Sequence, residues 1–370
     1  MLLSRLVELD EPDLAIHLNK SKRKGWGISM ASNTVYACCA LNITEGGKSF
    51  IPPQSVEIDL TNTCNQDCTY CNSALYRAKV PNLTKIHHYH KLVEQLTTWG
   101  RMSNSRNVRT ITFAGGGEPT VRKGYEYVVE QALESKLLTS IATNGSYLNK
   151  LDNLPVDTVK KLSWVGVAID SGDPAIYEKI RRSSTKGMFE RVKENISWLA
   201  SINNRVDVKV LLHPDTASEH SLHQTFKYAK DVNARMLYFR IALLKSGMYI
   251  PSESVYELID NYSKFYGVSV QVNKSRLTEK SYSKCHALYM LPVFAADGLV
   301  YLCCENRGNP KFALGSWLDD EFWLNWCSDA HYEIYNDIDA RLCLPCRPHT
   351  HNIEVENSIN SQSFHQDLFL

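Results

Sequence analysis

Short apolar runs alternate with stretches of helical periodicity up to about residue 275 of the 370-residue chain. Six of the runs are rich in Val and Ile, and their length is typical of strands buried on both faces of a parallel sheet. These predicted strands cover residues 55–60, 108–113, 138–143, 164–170, 206–212 and 236–241.

Helical patterns fill the gaps between the predicted strands. The clearest cover residues 84–99, 125–135, 174–181 and 188–201, and Thr84 is the expected N-cap of the first. Apolar residues of the last helix recur on one face, at Phe189, Val192, Ile196 and Leu199. Alternating strands and helices predict an α/β fold with right-handed crossovers, in which chemistry is expected at the C-terminal strand ends.

The pattern changes after about residue 275. Two strand-like runs, 289–295 and 299–303, flank Asp297 and Gly298, and Asp-Gly between such runs is a strong hairpin signal. The stretch 357–362 is polar and is expected to be part of a loosely held tail. We therefore predict an N-terminal extension (1–50), an α/β domain (51–275), a small cysteine-rich α+β domain (276–352) and a C-terminal tail (353–370).

Composition and charge narrow the function classes only slightly. Hydrophobic residues make up 44% and charged residues 22% of the chain, as in an ordinary soluble protein. The formal net charge of +1 gives no overall signature of a nucleic-acid binder, although a nucleotide or DNA held by a local patch stays open. No signal-like or membrane-spanning apolar stretch stands out, so a cytoplasmic location is expected. Disulfides are rare there, and the eleven cysteines favour metal ligation instead.

Three cysteines, Cys64, Cys68 and Cys71, directly follow the first predicted strand. Three thiolates on one loop can wrap a compact metal centre. Structural zinc normally has a fourth protein ligand, whereas a 4Fe–4S cluster held by three cysteines leaves one iron open to a small molecule. A zinc knuckle and three unrelated thiols are the alternatives.

A glycine run, Gly115-Gly116-Gly117, ends the second predicted strand and continues into Glu118 and Pro119. Glycines without side chains allow the backbone to approach a ligand closely. The spacing matches neither a phosphate-binding P-loop nor a dinucleotide fingerprint.

The spacing C-x3-C-x2-C after the first strand, with Tyr70 before the last cysteine, resembles the radical S-adenosylmethionine (SAM) superfamily signature. This resemblance implies a partial (β/α)6 TIM-like barrel and a 4Fe–4S cluster on Cys64, Cys68 and Cys71. The open iron would bind SAM, whose reductive cleavage gives a 5′-deoxyadenosyl radical that abstracts a substrate hydrogen. Tyr70 would then lie near the adenine. Gly115, Gly116, Gly117 and Glu118 match the family motif that binds the amino group of SAM.

Three further positions match the family less specifically. Asn144 closes the third strand, and Ser171 follows the fourth, where the family often places a polar residue on the ribose. Arg182 or Arg181 is expected to pair with the cofactor carboxylate, because an arginine fork suits that group. For each position the alternative is loop capping or a solvated charge.

Five more cysteines lie in the predicted small domain, at Cys285, Cys303, Cys304, Cys343 and Cys346. Four thiolates fit either zinc or an iron–sulfur cluster. The arrangement resembles the twitch domain of radical enzymes, a shortened SPASM domain, with Gly315 at its usual glycine turn. This implies a second, auxiliary 4Fe–4S cluster on Cys285, Cys303, Cys343 and Cys346, with Cys304 as a spare.

The remaining cysteines and histidines are expected to be structural. Arg347, His349 and His351 replace the further cysteines of a full SPASM domain, which argues for one auxiliary cluster rather than two. Outside the ligand sets, the predicted buried thiols are Cys38, Cys39 and Cys327, and the predicted solvated or core histidines are His87, His88 and His90.

The resemblance defines the initiating step better than the substrate. About 50 residues precede the first strand, which is short for a separate peptide-recognition domain. The basic run at residues 20–26 ends in Trp26 and is either a phosphate and base contact or a solvated loop. A non-peptide polar substrate is therefore favoured, either a sugar-like metabolite or a modified nucleoside that is free or within DNA, and oxidation or isomerisation is expected. Peptide modification and a non-catalytic iron–sulfur or zinc module are the alternatives. A flavodoxin or ferredoxin is the expected electron donor.

Overall fold

The computed structural model describes residues 39–40, 42–44, 46–47, 52–53, 55–99, 108–244 and 247–360. The predictions for the basic run at 20–26 and for Cys38 lie outside the described residues. No helix among the described residues has both the length and the apolar character needed to cross a bilayer.

Parallel strands, each beside its predecessor in the chain, form the centre of a large sheet. They are β1 (Ser55–Asp59), β2 (Thr110–Ala114), β3 (Leu138–Thr143), β4 (Trp164–Ala168), β5 (Val206–Leu212) and β6 (Met236–Ile241). This order confirms the partial barrel and all six predicted strands. After a short antiparallel pair, β7 (Leu243–Leu244) and β8 (Gly247–Met248), a further parallel strand β9 (Ser269–Asn273) pairs with β6.

Helices connect the strands, and four of them lie where the periodicity predicts. They are α1 (Ala74–Lys79), α2 (Ile86–Thr98), α3 (Tyr125–Glu134), α4 (Val156–Val159), α5 (Pro174–Arg181), α6 (Met188–Ile202), α7 (Glu219–Asp231), α8 (Glu253–Tyr266), α9 (Asp329–Asp337) and α10 (His349–Asn360). The predicted apolar face of α6 is buried. The N-cap prediction at Thr84 is wrong, because α2 is capped by Lys85. The Thr84 hydroxyl instead contacts the Tyr89 hydroxyl at 2.6 Å and donates to the Ala296 carbonyl at 3.1 Å.

The two faces of the sheet differ, and the expectation of strands buried on both faces is wrong. Residues such as Val56, Ile111 and Val208 are fully buried in the apolar core. Many of the residues between them are polar and only partly buried, among them Glu57, Thr112, Ser140, Lys209, Tyr238 and Arg240. We call this polar side the lumen face. An apolar residue on every second position is enough to hold the helices, so the other face is left for polar groups.

The cysteine-rich region continues the same sheet. The predicted hairpin is confirmed as β10 (Val293–Phe294) and β11 (Leu299–Tyr301), and Gly298 at its turn has φ +86°, which favours glycine. Strand β12 (Ala313–Ser316) follows at the sheet edge. Because β10 pairs in parallel with β1, the sheet runs unbroken from one cysteine region to the other. The division at residues 275 and 276 stays a prediction.

The prediction of a loosely held tail is wrong for residues 353–360. These residues belong to α10, whose Val355 side chain is fully buried. Asn352 in the preceding turn is also buried and accepts a hydrogen bond from the Ala287 amide at 2.9 Å. A polar composition therefore conceals a helix that is anchored at a few positions.

Candidate functional site

Cys64, Cys68 and Cys71 lie on the loop that joins β1 to α1, at the C-terminal edge of the parallel strands. The loop is anchored before its first cysteine and again between Cys68 and Cys71. The Asn82 side chain accepts a hydrogen bond from the Asn62 amide at 2.5 Å, and the Thr69 amide donates to the Ile180 carbonyl at 3.0 Å. The cysteines are partly exposed at the strand ends, where parallel α/β sheets usually carry chemistry.

The sulfurs of this loop have the surroundings of metal ligands. Burial raises the pKa of Cys64 to about 11 and also raises that of Cys68. The charge of Cys68 contributes to the shift at Cys64, and that of Cys71 to the shift at Cys68, so the thiols interact. Asn144 Nδ2 lies 4.0 Å from Cys64 Sγ, and Arg181 Nη1 lies 3.5 Å from Cys68 Sγ. Three thiols with N–H donors aimed at two sulfurs fit an iron–sulfur cluster.

The glycine loop after β2 packs directly on the cysteine loop. The Gly117 amide donates to the Thr61 carbonyl at 3.0 Å, and the Glu118 amide donates to the Thr63 carbonyl at 2.9 Å. A Cβ on Gly117 would lie 2.1 Å from the Thr63 carbonyl oxygen, and one on Gly116 would lie 2.5 Å from the Tyr76 ring. At Gly115 it would lie 2.9 Å from the Gly117 oxygen. The glycines are therefore needed for loop-to-loop contact as well as for any approach of a ligand.

Glu118 links the glycine loop to the end of β3. Its carboxylate is buried and accepts four hydrogen bonds, from the Thr120 amide (3.0 Å), the Thr120 hydroxyl (2.7 Å), the Thr143 hydroxyl (2.6 Å) and the Asn144 amide (2.6 Å). Burial raises the pKa of Glu118, and these donors oppose that shift. With its oxygens bound in this way, the side chain acts on the site by positioning the loop.

Two polar residues predicted at the rim are already bound within the protein. The Asn144 amide group donates to Asn65 at 2.9 Å and accepts from the Ser146 amide at 3.0 Å. Ser171 is fully buried, where its hydroxyl contacts that of Ser221 at 2.8 Å and accepts from the Asp173 amide at 3.1 Å. Asn144 thus borders the cysteine loop, and Ser171 stiffens the turn after β4.

Of the two adjacent arginines, Arg181 reaches the cysteine loop. Its guanidinium contacts Cys68 and also pairs with Asp170 at 2.8 Å, in a buried ion pair. Arg182 is exposed at the C-terminal cap of α5. Tyr70 lies beside this ion pair, since the charges of Asp170 and Arg181 both act on its hydroxyl, and its ring centroid is 5.2 Å from that of His213 after β5. Neither the Asp170 pairing nor His213 is identified by the sequence. The first depends on where α5 ends, and the second brings together loops after two strands distant in the chain.

The second cysteine set also converges. Burial raises the pKa of Cys285, and the charges of Cys303, Cys346 and Cys343 raise it further. Burial likewise raises the pKa of Cys346 to about 11, with contributions from Cys303 and Cys343. Asn352 Nδ2 lies 3.6 Å from Cys285 Sγ, and Asn306 Nδ2 lies 3.4 Å from Cys303 Sγ.

The loop that carries Cys343 and Cys346 is fixed by a lysine. The Lys280 ammonium donates to the carbonyls of Ala340 at 3.0 Å, Cys343 at 2.8 Å and Leu344 at 2.9 Å. Cys304 has different surroundings. It is buried, and burial raises its pKa to about 12, opposed chiefly by Arg347. These surroundings favour Cys304 as the spare thiol.

The other cysteines and histidines have structural surroundings. Cys39 and Cys327 are buried. His87 is exposed, His88 accepts a hydrogen bond from the Lys85 amide at the start of α2, and His90 contacts Gln131. His349 is buried against the Tyr282 hydroxyl at 3.0 Å. In the described part of the chain, no three Cys, His, Asp or Glu side chains are arranged to hold a single metal ion.

An ion-pair network connects the two cysteine regions. Asn72, next to Cys71, donates to Glu305 at 2.9 Å. Glu305 also pairs with Arg276 at 3.1 Å and with Arg347 at 3.3 Å, and Arg347 reaches Glu57 on β1 at 3.3 Å. Charged residues from four separate segments meet here, which the sequence does not reveal.

Comparison with known proteins points to one superfamily. Residues 58–229 match the model of the Radical SAM superfamily. A relative named S-adenosylmethionine-dependent nucleotide dehydratase, from Flammeovirga pacifica, is 30% identical over 159 residues, which cover 42% of this chain and 51% of the relative. A probable GTP 3′,8-cyclase from Thermococcus kodakarensis is 26% identical over 42% of this chain and 48% of its own length. The matches thus span about half the length of these curated relatives.

Solved structures show the same fold over more of the chain. SuiB of Streptococcus suis bound to its precursor peptide SuiA matches with a TM-score of 0.60 and 12% identity, over 90% of this chain and 78% of that one. A structure titled native anSMEcpe with bound AdoMet matches with a TM-score of 0.51 and 19% identity, over 77% of this chain and 83% of that one. Both likenesses cover more of the chain than the matched residues 58–229 do.

Proposed function

We propose that this chain is a radical SAM enzyme that removes a hydrogen atom from a nucleotide-like small molecule. The observation that carries the proposal is the joined pair of loops after β1 and β2. The glycine loop is hydrogen-bonded to the loop of Cys64, Cys68 and Cys71, next to a polar lumen face. A binding module or an electron carrier does not require such a glycine loop beside its cysteines.

We infer that Cys64, Cys68 and Cys71 hold a 4Fe–4S cluster. When bound there, the cluster supplies the electron that splits SAM into methionine and a 5′-deoxyadenosyl radical. The chain's own residues fix the surroundings. Arg181 and Asn144 direct N–H groups at two sulfurs, and Glu118 holds the glycine loop against β3. The backbone of Gly115–Gly117 and the ring of Tyr70 are the proposed contacts of the amino and adenine groups of SAM.

The substrate class is supported by the relatives and by the lumen face. The two relatives described above are named for reactions of nucleotides, a dehydratase and a GTP cyclase. The lumen face carries Lys209 and Arg240, which suit an anionic substrate. The likeness to SuiB is a likeness of fold at 12% identity and gives no argument for a peptide.

We further infer an auxiliary 4Fe–4S cluster on Cys285, Cys303, Cys343 and Cys346. Their mutual electrostatic effects and the Asn306 and Asn352 donors support this set. A reduced flavodoxin or ferredoxin is the proposed electron source, and the cytoplasm is the proposed location.

The test of the function uses anaerobically reconstituted protein, SAM and dithionite. With nucleoside triphosphates deuterated on the ribose, we expect deuterium in the 5′-deoxyadenosine that forms. Cys68→Ala should abolish 5′-deoxyadenosine formation, whereas Cys304→Ala should retain it. Formation of 5′-deoxyadenosine by Cys68→Ala would contradict the assignment of Cys68 as a cluster ligand. Transfer of deuterium to 5′-deoxyadenosine from a labelled peptide, but from none of the labelled nucleotides, would contradict the proposed substrate class.

A second experiment tests the auxiliary cluster by iron analysis. Two clusters give about eight irons per chain and one gives about four. We expect about eight in the wild type, about four in Cys303→Ala and about eight in Cys304→Ala, because Cys303 is the one of these two thiols whose charge contributes to the pKa shifts of Cys285 and Cys346. Equal iron in the two variants, or zinc in place of iron, would remove the auxiliary cluster from the proposal.

A further inference from the structure

Two cations lie side by side on the lumen face. Lys209 is on β5 and Arg240 is on β6, both at inward positions of the alternating pattern. In the register of the two strands, Lys209 is opposite Tyr238 and Leu211 is opposite Arg240. Lys209 and Arg240 are therefore diagonal neighbours on one face, a spacing that long side chains easily bridge.

Neither cation makes an ion pair with a carboxylate in the described part of the chain. Asp170 acts on Lys209 and Glu305 acts on Arg240 only from a distance, and both carboxylates are paired with other arginines. The Lys209 ammonium lies 5.6 Å from the centre of the Trp164 ring. The Arg240 guanidinium makes no ion pair or hydrogen bond with a described residue. The cations around them are different, since each has an acidic partner. These pairs are Arg181 with Asp170, Arg276 with Glu305, and Arg347 with Glu57 and Glu305.

Holding these two charges inside the fold is unfavourable without a ligand. Burial lowers the pKa of Lys209 well below its usual value, and the charges of Arg240 and Arg347 lower it further. Burial lowers the pKa of Arg240 as well, with Arg347 and Arg276 acting in the same direction. A cation withdrawn from water is stabilised by a charged partner, and an anion bound on the lumen face would supply one for both of these partly buried residues.

We propose that Lys209 and Arg240 bind a phosphate group of the substrate. The inference rests on the proposed function, because it names the residues that would hold a nucleotide in the lumen. The planar guanidinium of Arg240 suits two oxygens of one phosphate, and the Lys209 ammonium adds a compact charge. Arg181, which contacts Cys68, is close enough to affect Lys209, so the phosphate site lies near the cysteine loop.

The test measures binding of inorganic tripolyphosphate to the reconstituted full chain by calorimetry, without oxygen. Lys209→Met and Arg240→Gln should each weaken binding by about 10-fold to 100-fold, the usual effect of losing a charge-assisted contact. Lys227→Met is the matched control. It removes one positive charge from the exposed surface of α7 and should leave affinity within about twofold.

Conservative variants separate the effect of the lost charge on tripolyphosphate affinity from an effect of misfolding. Arg240→Lys and Lys209→Arg should recover part of the affinity lost in Arg240→Gln and Lys209→Met. Wild-type affinity in Lys209→Met or Arg240→Gln would overturn the proposal, and so would failure of the wild type to bind tripolyphosphate. Succinate binding tighter than tripolyphosphate would overturn the assignment to phosphate.

The proposed function has a separate readout. Formation of 5′-deoxyadenosine from SAM and dithionite without substrate does not need the phosphate site, so it is measured in the wild type, and the surface control Lys227→Met should retain it. Its absence in the wild type would contradict the proposed function, whereas its presence together with unchanged tripolyphosphate affinity would contradict the phosphate site alone.

Discussion

Adjacent residues have different roles at the candidate site because the backbone turns between them. Helix α5 ends at Arg181, and Arg182 takes a left-handed conformation with φ +48°. That turn leaves Arg181 buried against Asp170 and Cys68 and leaves Arg182 exposed. A helix that ended one residue later would expose a different guanidinium. The choice between the two arginines is thus made by where α5 stops.

The contrast between the two arginines predicts a stability difference. Arg181→Gln should lower the free energy of unfolding by about 3–5 kcal/mol, because it leaves the Asp170 carboxylate buried without its partner. Arg182→Gln should change it by no more than about 0.5 kcal/mol, as is usual for an exposed site. Urea unfolding of the reconstituted variants, followed by tryptophan fluorescence, measures both. Equal loss in the two variants would contradict the buried ion pair.

At the scale of elements, the loops after β1 and β2 behave as one unit. Two backbone hydrogen bonds join them, and the glycines leave no room for a side chain between them. Glu118 then fastens this unit to the end of β3. The position of the three cysteines therefore depends on three successive strands of the sheet.

Gly117→Ala should disrupt the cysteine loop. The new Cβ would lie 2.1 Å from the Thr63 carbonyl oxygen, so the loop must move. We expect iron content to fall by about four per chain, the content of one cluster, and SAM cleavage to be lost.

The matched control for Gly117→Ala is Gly187→Ala. Gly187 precedes α6 with φ +72° and nothing near its Cβ position. This variant should lose about 1–2 kcal/mol of stability from backbone strain and keep its iron. If Gly117→Ala retains all its iron, close packing of the two loops does not support the cluster.

At the scale of the whole molecule, both cysteine regions share one sheet and one core. Strand β10 pairs with β1, and Trp99 at the end of α2 packs within 4.8 Å of Trp323 and 5.4 Å of Trp326, measured between ring centroids. Loss of order in the C-terminal region should therefore unfold the α/β part as well. Buried histidines in this region then affect the stability of the entire chain.

The burial of His331 leads us to expect that the folded protein loses stability in mild acid. Burial lowers the pKa of His331 from 6.5 to about 3. Below pH 6.5 the unfolded chain binds a proton that the folded chain does not, so stability falls as the pH decreases toward 3. From this residue alone, the free energy of unfolding should fall by about 1.4 kcal/mol between pH 7.5 and 5.5.

The pH effect is measured by urea unfolding of the reconstituted protein at both pH values. His331→Gln should show a smaller difference between them than the wild type, whereas His87→Gln, at an exposed position, should match the wild type. An unchanged pH dependence in His331→Gln would contradict the assignment to His331.

Local pattern determined much of this protein. Val and Ile runs predicted six strands, helical periodicity predicted the buried face of α6, and Asp297-Gly298 predicted the hairpin, because each depends on residues within a few positions of one another. The cysteine and glycine motifs likewise lie on single loops, so their order and spacing can be read directly from the chain.

Only the tertiary structure decided which distant groups meet. The Arg181–Asp170 pair, the Glu305 network and the unpartnered Lys209 and Arg240 depend on strand register and on where helices end. The strand β9, the helical tail and the continuation of the sheet through β10 were set by long-range pairing and by a few buried residues. Such contacts form between segments far apart in the chain, and local propensity has no information about them.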